Sequence, residues 1–147
     1  MNSKLSVNIT LWCNRILAAI VVGMIFGVKP LMAWYQQLRP LVWQATAAVV
    51  YGYWICVPAV LYALLCIERL LGNIQKDVVF VSENVRCIRR ICWCCAGVSA
   101  VSLIVGLLYP PLLFLAVIMA FLALVVSVVK NVMAAAVEIR EENDLTV

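Results

Sequence analysis

The chain has 147 residues, of which 67% are hydrophobic and 12% charged, with a formal net charge of +4 and no histidine. A chain of this length is one domain. Soluble domains carry about a quarter charged residues, so a water-soluble globule is excluded and lipid is the expected solvent. The missing histidine removes the commonest general base and metal ligand, which turns the reading away from catalysis and metal chemistry.

Four long apolar runs follow one another, at about Ile16–Trp34, Ala45–Ile67, Ile91–Tyr109 and Leu112–Val129. Each has roughly the 20 residues an α-helix needs to cross ~30 Å of hydrocarbon. The expected fold is all-α: an integral membrane four-helix bundle, with residues 1–147 forming one transmembrane domain. Lys4 and Arg15 precede the first run as they would in a signal peptide. Val28-Lys29-Pro30 follows the stretch Ile16–Gly27 in place of a small-residue cleavage site, so the run is expected to remain as an anchor. Ala19, Gly23 and Gly27 recur at intervals of four along it. Such a face lets another helix approach closely. Packing inside this protein is the first expectation, and a homo-oligomer face the second.

Lys29-Pro30 marks the outer end of the first span, where the lysine snorkels and the proline bends the last turn. Residues Ala33–Gln44 form the expected external segment, with Trp34, Tyr35 and Trp43 around Gln36, Gln37 and Arg39. This reads as an interfacial aromatic belt, with a ligand vestibule as the alternative. Pro58 interrupts the second span, a change that neighbouring helices tolerate as a kink.

Glu68–Arg90 is the longest polar stretch. Val78-Val79-Phe80-Val81 favours extended backbone. Ser82 then suits a helix cap, ahead of an acidic Glu83 at the positive helix start. That helix is expected to run into the third span, with Arg86, Arg89 and Arg90 on its first turns at neighbouring i,i+3 and i,i+4 positions. The alternative is a single surface helix through Ile74, Val78, Val81, Val85 and Ile88. The arginines suit anionic lipid or, as a functional reading, an acidic docking partner. Tyr109-Pro110-Pro111 makes a tight hairpin between the last two spans, with Pro111 in the first turn of the fourth helix. After Lys130-Asn131, the stretch Val132–Val137 favours helix, and Glu138, Glu141 and Glu142 follow. These carboxylates either stay solvated or pair with the loop arginines.

Of the 11 basic residues, nine fall on one side of this four-span plan and only Lys29 and Arg39 on the other. The positive-inside rule therefore puts both termini and the central loop in the cytoplasm. Membrane orientation accounts for the net charge, so direct nucleic-acid binding is not implied. The seven cysteines, Cys13, Cys56, Cys66, Cys87, Cys92, Cys94 and Cys95, show no zinc spacing and no CxxC. They read as small buried apolar residues. The alternative is a thiol-based redox sensor, because Arg89 and Arg90 adjoin Cys92, Cys94 and Cys95. A transporter usually needs an ionisable group deep in the bilayer, and the four runs contain none at depth, since Lys29 lies near the end of its run. No cofactor is expected.

Two segments carry a family resemblance. One is Phe80-Val81-Ser82-Glu83-Asn84-Val85-Arg86-Cys87-Ile88-Arg89-Arg90-Ile91: an aromatic, then Glu-Asn-Val, then basic residues. The other is the C-terminal Glu138-Ile139-Arg140-Glu141-Glu142-Asn143-Asp144-Leu145-Thr146-Val147, whose Glu-Glu-Asn-Asp-Leu-Thr run is the more specific signal. With the four-span plan they resemble the small bacterial membrane proteins called domain of unknown function 2975. The chain departs from that pattern where Val78-Val79, rather than a glycine, precedes Phe80. The resemblance implies a bacterial inner-membrane protein and, because such proteins are often encoded beside small helix-turn-helix regulators, a partner of that kind. The expected function is non-enzymatic: a cytoplasmic face made of Glu83, Asn84, Arg86, Arg89, Arg90, Glu141, Glu142, Asn143 and Asp144 binds or sequesters a soluble protein. The runner-up is a small transporter or an accessory subunit of a membrane complex.

Overall fold

The computed structural model describes residues 3–76 and 79–145. Val78, Thr146 and Val147 lie outside the described residues, as do the side chains of Lys4 and Asp144. Four helices follow in order: α1 Ser3–Leu38, α2 Trp43–Gln75, α3 Ser82–Gly106 and α4 Pro111–Leu145. Each is long and apolar enough to cross a membrane. Their 36, 33, 25 and 35 residues correspond to about 54, 50, 38 and 52 Å, so all but α3 exceed the hydrocarbon thickness by several turns.

Neighbours in sequence are neighbours in space: α1 packs on α2, α2 on α3 and α3 on α4. The helices alternate in direction. Asn8 bonds Gln75, Asn73 bonds Asn84, and Cys92 and Ser99 reach the carbonyls of Ala123 and Ala116. The N-terminal ends of α1 and α3 therefore share one end of the molecule with the C-terminal ends of α2 and α4. This basic end carries the loop after Gln75. The opposite, aromatic end carries the two other turns. The α1 and α4 backbones do not touch, so the four helices form an open pack rather than a closed ring.

The structure redraws several expected boundaries. The helices continue through the polar flanks of the apolar runs. The expected external segment 33–44 shrinks to a connection at 39–42, because α1 runs through Pro30 to Leu38 and α2 begins at Trp43. The α2 helix is continuous through Pro58 and ends at Gln75, well past Ile67. The third span stops at Gly106 instead of Tyr109, and Leu107–Pro110 form the turn before Pro111 opens α4. The loop is split, as its β-branched residues require: Val81 is extended, with φ −133° and ψ 147°. Ser82 is not the cap, however. It is already helical, Val81 holds the cap position, and no side chain bonds there.

The stripe on α1 does not pack inside the protein, which corrects the first of its two readings and leaves the oligomer face as the other. Ala19 and Gly23 are exposed, and a side chain added at Gly23 would meet nothing within 4 Å. The buried residues of α1 are Asn14 and Val28. Close approach occurs elsewhere. A Cβ on Gly52 would lie 2.8 Å from the Val105 side chain, and one on Gly106 would lie 2.6 Å from Leu113 Cδ2 and 3.0 Å from its backbone nitrogen. These two glycines let α2 meet α3 and let the α3–α4 hairpin close.

Candidate functional site

At the basic end, polar side chains tie the first three helices together. Asn14 is buried in α1, where an unpaired amide would carry a large desolvation cost. Its Nδ2 donates to the Leu64 carbonyl of α2 at 3.1 Å. The next residue, Arg15, donates from Nε to Oε1 of Glu68, one turn past Leu64 on α2, at 2.9 Å. Both side chains are substantially exposed, so this pair is worth little to stability.

Asn84 is the most buried polar side chain, at 0% exposure. Its Nδ2 donates to the Val79 carbonyl at 2.8 Å, and its Oδ1 accepts from Asn73 Nδ2 at 2.7 Å. One amide thus joins the end of α2, the connecting loop and the first turn of α3. The asparagine of the Glu-Asn-Val motif is therefore a structural clamp and not a surface contact, which corrects its expected role. Its neighbours Glu83 and Arg86 are exposed.

Arg86, Arg89 and Arg90 are all exposed on the first turns of α3. The Arg90 guanidinium lies 5.9 Å from the centre of the Tyr62 ring of α2, a cation–π contact that holds it against the helices. The expected pairing of the tail with the arginines is not seen for Glu138 and Glu141 among the described residues, and Glu142 and Asn143 each have a partner. There Glu138 and Glu141 make no ion pair, and the recorded one is Arg15–Glu68. The reason is geometric. The α4 helix does not end near the membrane; it continues in a straight run to Leu145, which carries Glu141, Glu142 and Asn143 beyond the α3 start. Glu141, Glu142 and Asn143 are exposed there. The basic end thus presents a cationic patch on α3 and an acidic tip on α4 at the same end of the molecule.

The thiols divide by environment. Cys66 and Cys87 are buried, Cys92 Sγ donates to the Ala123 carbonyl at 3.3 Å, and Cys13 is exposed. At the aromatic end the Tyr35 and Tyr109 hydroxyls are 3.2 Å apart, Gln36 Nε2 donates to Thr46 Oγ1 at 2.7 Å, and Lys29 sits 4.8 Å over the Trp54 ring. The Tyr109 hydroxyl, in the turn, titrates above the ordinary tyrosine value, first through its bond to Tyr35 and then through burial. Trp34 and Trp43 are exposed at this end, as a belt requires.

Sequence reasoning missed Asn14 and Asn73 as ties. The available signal was a lone amide beside an apolar run, which has to find a partner once buried. It also missed an apolar cavity of about 390 Å³ inside the aromatic-end half of the helix pack. A family model described as "Protein of unknown function (DUF2975)" matches residues 10–147. No curated protein and no solved structure matches the chain.

Proposed function

This chain belongs to the DUF2975 family of proteins of unknown function, and we propose that it is a bacterial inner-membrane protein that binds a soluble cytoplasmic partner and performs no catalysis. The observation that carries this reading is the exposed triad Arg86, Arg89 and Arg90. Helical structure extends past the length a membrane occupies, so these charges stand on a platform fixed by the Asn84 clamp and not on a mobile loop. A fixed cationic surface selects an acidic protein face and speeds its encounter. The nine-to-two distribution of basic residues supports placing this end, and both termini, in the cytoplasm. The partner is a small helix-turn-helix regulator; this follows from the family resemblance alone. The acidic tip at Glu141 and Glu142 extends the surface and opposes the wrong orientation by like-charge repulsion.

The test is co-purification on an N-terminal tag from membranes of the native host after mild crosslinking. Arg86→Glu/Arg89→Glu is compared with the unchanged chain. The protein captured by the unchanged chain is then rebound to purified chain in discs of neutral lipid. Loss of one acidic protein with the charge reversal, and rebinding in neutral discs, is the expected result. Capture that survives charge reversal, or no rebinding, removes the docking reading. The transporter or accessory-subunit reading has one observation in its favour, the cavity lined by all four helices. Against it, the apolar runs lack the deep ionisable group that coupled transport uses.

A further inference from the structure

The cavity lies where the four helices come closest to a common centre. Val21 of α1, Cys56 and Val60 of α2, Val98 and Ser102 of α3, and Met119 of α4 belong to its wall. Along α2 it extends from Val49 to Val60, about 16 Å of helix. Its lining is apolar apart from the hydroxyls of Ser102 and Tyr53, and no charged residue faces it. The Tyr53 hydroxyl is engaged, donating to the Val21 carbonyl at 2.8 Å. Ser99, one turn below Ser102 on α3, is engaged as well, with the Ala116 carbonyl at 2.8 Å. Ser102 differs. It is 5% exposed, lines the cavity, and makes no hydrogen bond among the described residues. No fully buried side-chain oxygen lacks a partner among the described residues, so the Ser102 hydroxyl keeps its open surface on the cavity it lines, where a ligand oxygen can bond it.

The route of entry follows from the open pack. Both α1 and α4 contribute wall residues, yet their backbones do not touch. The gap between these two apolar helices therefore offers an apolar path to the cavity from lipid. Shape and polarity then restrict the occupant. A volume near 390 Å³ falls in the range of small-molecule sites. The absence of a facing charge requires a neutral molecule. Ser102 sits in the middle of the α3 wall, between Val98 and Val105, so the matching oxygen is flanked by hydrocarbon on both sides. A phospholipid tail carries its ester oxygen at one end and presents only methylenes at that depth.

We propose that the Ser102 cavity is a binding site for a neutral, lipid-soluble molecule with an internal carbonyl or ether oxygen, which enters sideways from the membrane between α1 and α4. This site is separate from the docking surface at the basic end, and neither reading depends on the other. Ligand occupancy would bridge α1 to α4, the one neighbouring contact the open pack lacks.

Benzophenone is the probe: neutral, apolar on both sides of one carbonyl, and photoreactive toward nearby C–H bonds. The full chain in phospholipid discs is titrated with it, illuminated, and the labelled residues are located by mass spectrometry. Saturable labelling centred on Val98–Val105 and on Leu115 and Met119 is expected. Ser102→Ala removes one neutral hydrogen bond without changing the shape, and weakens the half-saturating concentration roughly five-fold. Cys56→Phe fills the space and abolishes the saturable component. If Cys56→Phe fails to fold, the Ser102→Ala titration decides alone. Labelling that does not saturate, or that follows lipid exposure at Leu107, Phe114 and Phe121, would overturn the proposal and indicate that acyl chains fill the cavity. An unchanged half-saturation in Ser102→Ala would overturn it equally.

Discussion

Asn84→Ala separates a structural clamp from a surface contact. The side chain is fully buried, donates to the Val79 carbonyl at 2.8 Å and accepts from Asn73 at 2.7 Å. Each neutral bond contributes about 1 kcal/mol net, and each buried group left without a partner costs about 1–3 kcal/mol. Asn73 is only half-buried, so water replaces part of its loss. The expected destabilisation is about 2–4 kcal/mol. It is read as a shift of the unfolding midpoint when the protein, in mixed micelles, is titrated with a denaturing detergent and followed by tryptophan fluorescence. Asn84→Asp adds a sign test. At low pH the neutral carboxyl still donates to Val79 and accepts from Asn73. Burial raises the folded pKa of the new carboxyl above its ordinary value near 3.9. Its deficit relative to the unchanged chain is therefore smallest below about pH 4, and grows as pH rises toward the raised folded pKa. An Asn84→Ala protein that unfolds at the unchanged midpoint but loses its captured partner would refute the clamp and restore Asn84 to the docking surface.

Two further expectations follow from the structure. Gly106→Ala forces a Cβ against Leu113 and should cost about 1–3 kcal/mol by overpacking, partly relieved in a Leu113→Ala background; Gly23→Ala, with open space around it, should be neutral or stabilise by up to about 1 kcal/mol. Equal thermal midpoints for the two variants would refute the assignment of close packing to Gly106. Fusing a periplasm-active phosphatase or a cytoplasm-active fluorescent protein after Val147 should give fluorescence and no phosphatase activity, and the reverse would invert the proposed orientation.

The four helices were legible because span length and hydropathy are local properties. A run of about 20 apolar residues forms a helix in lipid whatever its neighbours do, since every backbone group must be satisfied within it. The break before α3 was legible for a similar reason, in the β-branched Val79 and Val81. Pro111 at the start of α4 follows from its missing N–H. The facing of these helices was not legible. A helix that is apolar all round carries no stripe to mark its inner side. The spacing of Ala19, Gly23 and Gly27 therefore did not mark the inner side, while Gly52 and Gly106, with no comparable motif, hold the close contacts.

The sequence by itself determined that this is a chain for lipid, with four spans and its basic residues gathered toward one end. Tertiary structure alone decided that Asn84 is sealed inside rather than offered outside. It also decided that the acidic tip continues along α4 away from the arginines, and that Ser102 faces a cavity while Ser99, one turn away, does not. The physical reason is the same in each case. Hydropathy and charge act residue by residue, whereas burial of one amide or one hydroxyl depends on which backbone from elsewhere in the chain arrives within 3 Å of it.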